Sequence, residues 1–198
     1  QAGAYFLFRA REILLTNVHT LASGSSGNAL LLCSDTTRIL LDTGISCRRI
    51  TTALRELDLS PEALDAILIT HTHTDHIAGL QTLIKRTALP ILATDRTCRE
   101  LEYRIAGIQD VLHPLPVCHP TVLGGCTVTA IPTAHDAPGS CGYRIYTADG
   151  AVGLLTDTGY VTPEAEQILP GVDIVVLEAN HDIPMLEQGS YPYFLKRR

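Results

Sequence analysis

The sequence predicts an α/β fold in which layers of β-sheet are packed by helices. Short apolar runs that suit strands alternate with segments whose apolar residues recur at helical spacing, and both halves of the 198-residue chain contribute strands. The length fits a single domain over residues 1–198 with a substantial core. Because Trp is absent and only 3 Phe are present, we expect that core to be aliphatic.

The first half of the chain contains five strand-like runs and four helix signals. The runs are Ile13–Leu21, Ala29–Cys33, Arg38–Leu41, Ala66–Ile69 and Leu89–Ala93. Apolar residues at helical spacing predict helices over 50–57 and 77–84, and Thr94 is a suitable cap for a third helix. Ser60-Pro61-Glu62 is another helix start. Since Ala66–Ile69 is apolar throughout, it predicts a strand buried on both faces.

The second half is richer in strands. Its strand-like runs are Thr127–Ile131, Gly142–Tyr146, Ala151–Leu155 and Asp173–Leu177, and Thr162-Pro163-Glu164 starts one short helix. The sequence shows no short-period repeat, no low-complexity segment and no interdomain linker. This pattern favours one layered domain.

Composition limits the classes of protein that the chain can represent. The net charge is −6, and the one basic run is Lys196-Arg197-Arg198, which disfavours a nucleic-acid binder. Metal ions bound among carboxylates would reverse the sign locally, so a nucleic-acid substrate stays open. No stretch reaches the ~20 apolar residues of a membrane span.

The cysteines and the N-terminal residues indicate a cytoplasmic protein. The 6 cysteines form no C-x-x-C pair, and their irregular spacing predicts reduced, mostly buried thiols instead of a disulfide framework. The apolar residues 4–8 precede Arg9 and Arg11, which is the reverse of the order in a signal peptide.

A histidine cluster, His71-Thr72-His73-Thr74-Asp75-His76, follows the buried run Ala66–Ile69. In an extended segment His71 and His73 point to the same side and can bind one ion, while Asp75 and His76 can face a second. Imidazole and carboxylate suit Zn or Mn, with Fe as a further candidate. A purely structural role is the competing interpretation, but several clustered imidazoles are costly to bury unpaired.

The H-x-H-x-D-H pattern after an apolar strand resembles the signature of the metallo-β-lactamase superfamily. Further motifs resemble a narrower bacterial group, the YycJ/WalJ-type proteins, which are related to nucleases. These motifs are Leu21–Asn28, Leu41–Gly44, Thr133–Ala137, Thr156–Gly159, Glu178–Asp182 and Tyr191–Lys196. The resemblance runs from about residue 13 to the end and implies an αββα sandwich.

The resemblance also implies a set of ligands for two divalent ions. The ligands are His71, His73 and His135 for the first ion, Asp75 and His76 for the second, and Asp157 as the bridge between them. His135 and Asp157 each follow a strand-like run, so strand ends would deliver them to a shared rim. Taken alone, Asp157 before Thr158-Gly159 also suits a turn. Asp42 and Asp136 are candidates to orient the imidazoles.

One departure from the family concerns the second ion. Members carry a further His in a Gly-His-Leu-Ser-Asn stretch after the Tyr-Pro-Tyr segment, and this sequence ends at Arg198 before reaching it. We therefore expect the closing strand–helix unit to be absent. His181 is a candidate to replace the missing ligand of the second ion, and it is also a candidate to bind substrate. In the loop over 23–28, Ser25 and Asn28 are candidates to bind substrate, although a plain turn between strands explains that loop equally well.

The leading hypothesis is a metal-dependent phosphodiesterase, acting as a DNA exonuclease through a hydroxide activated by two ions, with Asp75 as catalytic residue. One alternative is a hydrolase of a small thioester, lactone or phosphodiester on the same scaffold. The other is a metal-binding regulatory protein without turnover. The scaffold alone does not distinguish them, because one fold serves many chemistries.

Overall fold

Two β-sheets pack face to face and helices cover their outer faces in the computed structural model, which describes residues 16–178. Sheet 1 has six strands in chain order, with antiparallel pairing from β1 to β3 and parallel pairing from β3 to β6. The strands are β1 Asn17–Ala22, β2 Ala29–Cys33, β3 Arg38–Leu41, β4 Ala66–Leu68, β5 Ile91–Thr94 and β6 Leu112–Leu115.

Sheet 2 has five strands in the order β11-β10-β9-β8-β7. The pair β10 and β11 is parallel, and the other neighbours are antiparallel. The strands are β7 Pro120–Leu123, β8 Cys126–Pro132, β9 Cys141–Tyr146, β10 Ala151–Leu155 and β11 Ile174–Leu177.

Five α-helices accompany the sheets among residues 16–178: α1 Cys47–Glu56, α2 Thr74–Ile77, α3 Leu80–Ile84, α4 Asp95–Arg104 and α5 Pro163–Ile168. Side-chain caps begin three of them. Ser46, Thr94 and Thr162 accept hydrogen bonds from the first-turn amides of α1, α4 and α5. None of the described helices is long and apolar enough to cross a bilayer.

Three apolar clusters hold these layers together. The first joins one face of sheet 1 to helices α1, α3 and α4, and includes Leu40, Ile67 and Leu101. The second lies between the sheets and includes Leu68 and Tyr143. The third packs α5 on sheet 2. Because residues of β4 alternate between the first two clusters, that strand is buried on both faces, as its apolar sequence predicts. The four layers confirm the expected αββα sandwich.

Several elements differ from the sequence-based expectation. The start predicted at Ser60-Pro61-Glu62 forms one 3₁₀ turn, Pro61–Ala63, since Leu64 is already extended and the chain enters β4. The helix predicted over 77–84 is broken between α2 and α3 at Gly79, whose Cα packs against the Ile45 carbonyl. Strands β6 and β7 were not predicted. Each contains a proline and lies at a sheet edge, where proline is tolerated.

Candidate metal centre

The ends of parallel strands bring the candidate residues together. Strands β3 and β4 run parallel, so their carboxyl ends lie on the same side of sheet 1. Asp42 follows β3 there, and the loop at residues 70–76, here the histidine loop, follows β4. In sheet 2, β8 and β10 point the same way because both are antiparallel to β9. Their ends lead to His135 and Asp157. The Cys141 amide donates to the Thr70 carbonyl at 3.1 Å and joins the two edges.

His71, His73 and His135 form the first cluster of donors. Nδ1 of His73 lies 3.1 Å from Nε2 of His71 and 3.1 Å from Nε2 of His135. Tetrahedral zinc with bonds of ~2.0–2.1 Å requires nitrogens about 3.3 Å apart. The three imidazoles therefore fit one divalent ion of this size, and their assignment as its ligands stays a prediction.

His71, His76 and Asp157 form the second cluster, so His71 belongs to both. Nε2 of His76 lies 3.2 Å from Oδ2 of Asp157. Asp75 lies beside this cluster, with its Oδ2 3.7 Å from Nε2 of His76, and its carboxylate is partly exposed. The structure thus brings together all six side chains that the sequence predicts as ligands, with Asp75 at the solvent side.

Asp42 orients two of the imidazoles. Its buried carboxylate lies 2.8 Å from Nδ1 of His76 and accepts the hydroxyl hydrogen of Thr70 at 2.8 Å. The Thr70 oxygen in turn lies 3.0 Å from Nδ1 of His71. With the Nδ1 hydrogens donated to these oxygens, Nε2 of His71 keeps a lone pair toward the donor clusters, and Nε2 of His76 would do so once that ring is neutral. Asp42 thus occupies the orienting position that the sequence analysis considered.

Charge on the two buried imidazoles differs sharply. Burial, reinforced by the neighbouring His76, lowers the pKa of His71 to about 2, so its ring is neutral. Burial also acts to lower the pKa of His76, but the carboxylates of Asp42 and Asp157 outweigh it and raise the pKa to about 10. His76 must therefore release a proton before its nitrogen can bind a metal ion.

The conformation of Asp157 and the charge on its carboxyl depend on its backbone and on neighbouring side chains. It has φ 51° and donates its amide hydrogen to Oε2 of Glu178 at 2.8 Å. Burial acts to raise the pKa of its carboxyl, but the hydrogen bond to His76 prevails and lowers it. The backbone bends at Asp157, and the side chain lies beside His76, so a conformational role and a ligand role for this residue are compatible.

Asp136 lies at the outer rim, where its side chain is 47% exposed. Its Oδ1 is 3.5 Å from Nδ1 of His135 and 3.9 Å from Nε2 of His73. Asp136 thus lies near the imidazoles of His135 and His73, and its role in orienting an imidazole stays a prediction.

The predicted substrate residues fall in different places. Asn28 accepts the Gly24 amide hydrogen on Oδ1 at 2.9 Å, and its Nδ2 lies 3.0 Å from Nε2 of His76. Ser25 is exposed in the same loop, residues 23–28, here the serine loop. Asn28 thus reaches the donor cluster itself, and its part in substrate binding stays a prediction. His181, the third predicted substrate residue, lies outside the described residues.

Three contacts that the sequence analysis missed hold the histidine loop. The Arg104 guanidinium donates to the buried Thr72 carbonyl at 2.7 Å, and the Tyr143 hydroxyl donates to the Ile69 carbonyl at 2.6 Å. A Cβ on Gly44 would lie 1.6 Å from the Asp75 carbonyl oxygen. All three contacts join residues that are distant in the chain, and only Gly44 lies in a motif that the sequence analysis singled out.

Comparison with known proteins identifies the family of this chain. Residues 37–190 match the model of the beta-lactamase superfamily domain. The chain is 38% identical over 181 residues to exodeoxyribonuclease WalJ of Streptococcus pneumoniae serotype 2 (strain D39), covering 90% of this chain and 67% of that protein. It is 34% identical over 179 residues to exodeoxyribonuclease YycJ of Bacillus anthracis, covering 90% and 68%. The chain thus spans about two thirds of the length of these relatives.

Solved structures agree with the fold. A diphosphatase of the PhnP family superposes with a TM-score of 0.65 at 25% identity, over 80% of this chain and 71% of that one. A B3 metallo-β-lactamase with an active-site glutamic acid superposes with a TM-score of 0.62 at 18% identity, over 84% and 77%. The chain therefore belongs to the metallo-β-lactamase superfamily, as a YycJ-type member and a metal-dependent hydrolase.

Proposed function

We propose that this protein is a DNA exonuclease that hydrolyses phosphodiester bonds with two divalent ions, Zn or Mn. The observation that carries the proposal is the cluster of His71, His73 and His135, with His76, Asp157 and Asp75 directly beside it. Relatives named exodeoxyribonucleases, at 34% and 38% identity over 90% of the chain, support DNA as the substrate. Fe is a further candidate for the metal, since imidazole and carboxylate also suit it.

His71, His73 and His135 would hold one ion, and Asp75 with His76 the other, with Asp157 between them. The ions, when bound, supply a nucleophile from water at neutral pH and stabilise charge on the phosphate. The chain contributes orientation: Asp42 and Thr70 fix the imidazoles from behind. Asp75 is partly exposed beside His76, and we assign it to accept a hydrogen bond from the attacking water.

Cleavage of labelled DNA tests this function. Full-length protein is freed of metal with EDTA, supplied with Mn²⁺ or Zn²⁺, and given a linear 5′-labelled DNA and a covalently closed circle. We expect the unsubstituted protein to degrade the linear DNA and leave the closed circle intact. Asp75→Ala should degrade neither. Asp110→Ala is the matched control, because Asp110 is an exposed carboxylate in a 3₁₀ turn. The absence of metal-dependent cleavage, or equal cleavage by Asp75→Ala, would contradict the proposal.

A small phosphodiester is the second candidate substrate. It is favoured by the similarity to the PhnP-family diphosphatase, whose fold covers 80% of this chain. The same preparation assayed on bis(p-nitrophenyl) phosphate and on linear DNA separates the two. Rapid turnover of the small diester with no degradation of DNA would favour the second candidate.

A further inference from the structure

A groove of about 240 Å³ lies along helix α1, apart from the donor clusters. Leu21 and Ile45 give it apolar surface, and Arg48, Arg49 and Thr52 of α1 line it as well. Both arginines are exposed. We call it the arginine groove. It is smaller than the ~300–1,000 Å³ of pockets that enclose whole small molecules, so it suits part of a larger ligand.

The groove adjoins the backbone that carries the candidate metal centre. Ile45 directly follows Gly44, which packs against the Asp75 carbonyl and donates its amide hydrogen to the Asn28 carbonyl at 2.7 Å. A Cβ on Gly27 would lie 2.7 Å from Cγ2 of Ile45, so the serine loop also packs here. The arginine groove and the candidate metal centre therefore share this backbone segment and lie close together.

The charged side chains of the groove are unevenly distributed along α1, with the arginines near its start and Glu56 at its end. Within residues 16–178 the arginine ion pairs join Arg99 to Asp95 and Arg104 to Glu100, so the groove arginines have no carboxylate partner there. Glu56 also lines the groove, but it is seven residues beyond Arg49, about 10 Å along the helix. The end nearest the centre is thus basic, in a chain whose net charge is −6.

We propose that the arginine groove binds the sugar–phosphate backbone of one DNA strand beside the bond to be cleaved. This inference rests on the proposed function. Guanidinium groups bind phosphate oxygens in a bidentate manner, and a hydroxyl such as that of Thr52 also donates to phosphate. The apolar surface of Leu21 and Ile45 suits a sugar or a base. An acidic peptide would satisfy the arginines alone, but continuity with the centre favours DNA.

Anisotropy of a fluorescein-labelled single-stranded oligonucleotide, measured in EDTA to prevent cleavage, tests the groove. We expect Arg48→Ala/Arg49→Ala to raise Kd about tenfold at 100 mM salt, and to reduce the slope of log K against log salt by about 1.4, or ~0.7 per lost phosphate contact. Arg48→Lys/Arg49→Lys should keep most of the slope. Arg55→Ala is the matched control, since it removes a positive charge from α1 outside the groove.

An unchanged Kd and slope in the double alanine variant would overturn the inference, provided that its melting temperature equals that of the unsubstituted protein. An equal effect of Arg55→Ala would also overturn it, because the groove would then have no special part. So would efficient competition by a poly-glutamate peptide at equal charge. Metal-dependent degradation of linear DNA by the unsubstituted protein tests the proposed function separately. If that degradation is present and the groove variants bind normally, the inference alone fails.

Discussion

Asp42 lies 2.8 Å from Nδ1 of His76 through one carboxylate oxygen, and both side chains are almost fully buried. The same oxygen accepts the Thr70 hydroxyl, and the other accepts the Thr70 amide at 2.8 Å. All of these partners act as donors, so a carboxylate meets the demand and an amide does not. One side chain behind the site therefore fixes His76 directly and His71 through Thr70.

Asp42→Asn tests this relationship. Asn is isosteric and tolerates the positive φ of 59° at this position, so the backbone keeps its conformation. Its NH₂ group, however, faces a donor whichever way the amide is turned. We expect metal affinity to fall about 10- to 100-fold with the fold retained. Competition with a zinc chelator, alongside circular dichroism, measures both quantities, and unchanged zinc affinity would contradict the assigned role.

The unequal pKa values of His71 and His76 predict how the EDTA-treated protein responds to pH. The pKa of His71 is about 2 in the folded state, because burial opposes its charge, so stability is lost as the pH falls below 6.5. The pKa of His76 is about 10, since Asp42 and Asp157 outweigh burial. The stability that protonated His76 contributes to the fold is therefore complete below pH 6.5 and is lost as the pH rises toward 10. We expect a maximum of Tm near pH 6.5.

Thermal unfolding from pH 5 to 9 measures this response. The alkaline decline should be shallower in Asp42→Asn, because the pKa of His76 loses the carboxylate that contributes most to raising it. A Tm that stays flat between pH 6.5 and 9, or a decline that is unaltered in the variant, would show that His76 does not carry the extra proton.

Sequence periodicity predicted the central strands and the edge strands β1 and β11, and it missed the two edge strands that contain proline, β6 and β7. Runs such as Ala29–Cys33 and Ala151–Leu155 coincide with observed strands, since burial on both faces selects continuous apolar residues. Strand β6 carries His113 and Pro114, which an edge position tolerates and a periodicity criterion rejects. The break at Gly79 was also missed, because the Gly79 amide there donates its hydrogen at 2.8 Å to the carbonyl of Thr43, in a distant segment.

The candidate site was predictable where metal-ligating side chains lie close together in the sequence. Three histidines within six residues mark the histidine loop, and His135 and Asp157 follow strands whose ends meet it. The supporting contacts were not predictable in the same way. Arg104 contacts a carbonyl 32 residues away, and an arginine on an amphipathic helix has no local feature that distinguishes it from a solvated one.

Removal of the Arg104 guanidinium should loosen the histidine loop. Arg104→Ala leaves the buried Thr72 carbonyl without this donor, which costs about 1–3 kcal/mol and should weaken zinc binding as His71 and His73 lose their anchor. Arg99→Ala is the matched control on the same helix, because its exposed pair with Asp95 contributes about 0–1 kcal/mol. Urea unfolding and zinc competition measure both variants, and equal losses in the two would rule out a specific anchor.

Gly44 should tolerate no side chain, because its Cα packs directly on the loop that carries Asp75. In Gly44→Ala the new methyl group would lie 1.6 Å from the Asp75 carbonyl oxygen and 2.5 Å from the Asn28 nitrogen. Both are backbone atoms, so the histidine loop and the serine loop must separate. We expect a loss of about 3 kcal/mol or more in unfolding free energy, together with a loss of zinc binding.

The control for this substitution is Gly153→Ala in β10. There the nearest atom to the new methyl group is Cδ2 of Leu169 at 2.8 Å, the end of a flexible side chain that can rotate away. We therefore expect a loss near 1 kcal/mol or less and unaltered zinc binding, because the perturbation stays beneath α5. Chemical denaturation and zinc titration of both variants decide the matter. If Gly44→Ala proved as mild as Gly153→Ala, the close packing of Gly44 on Asp75 would not be a requirement of the site.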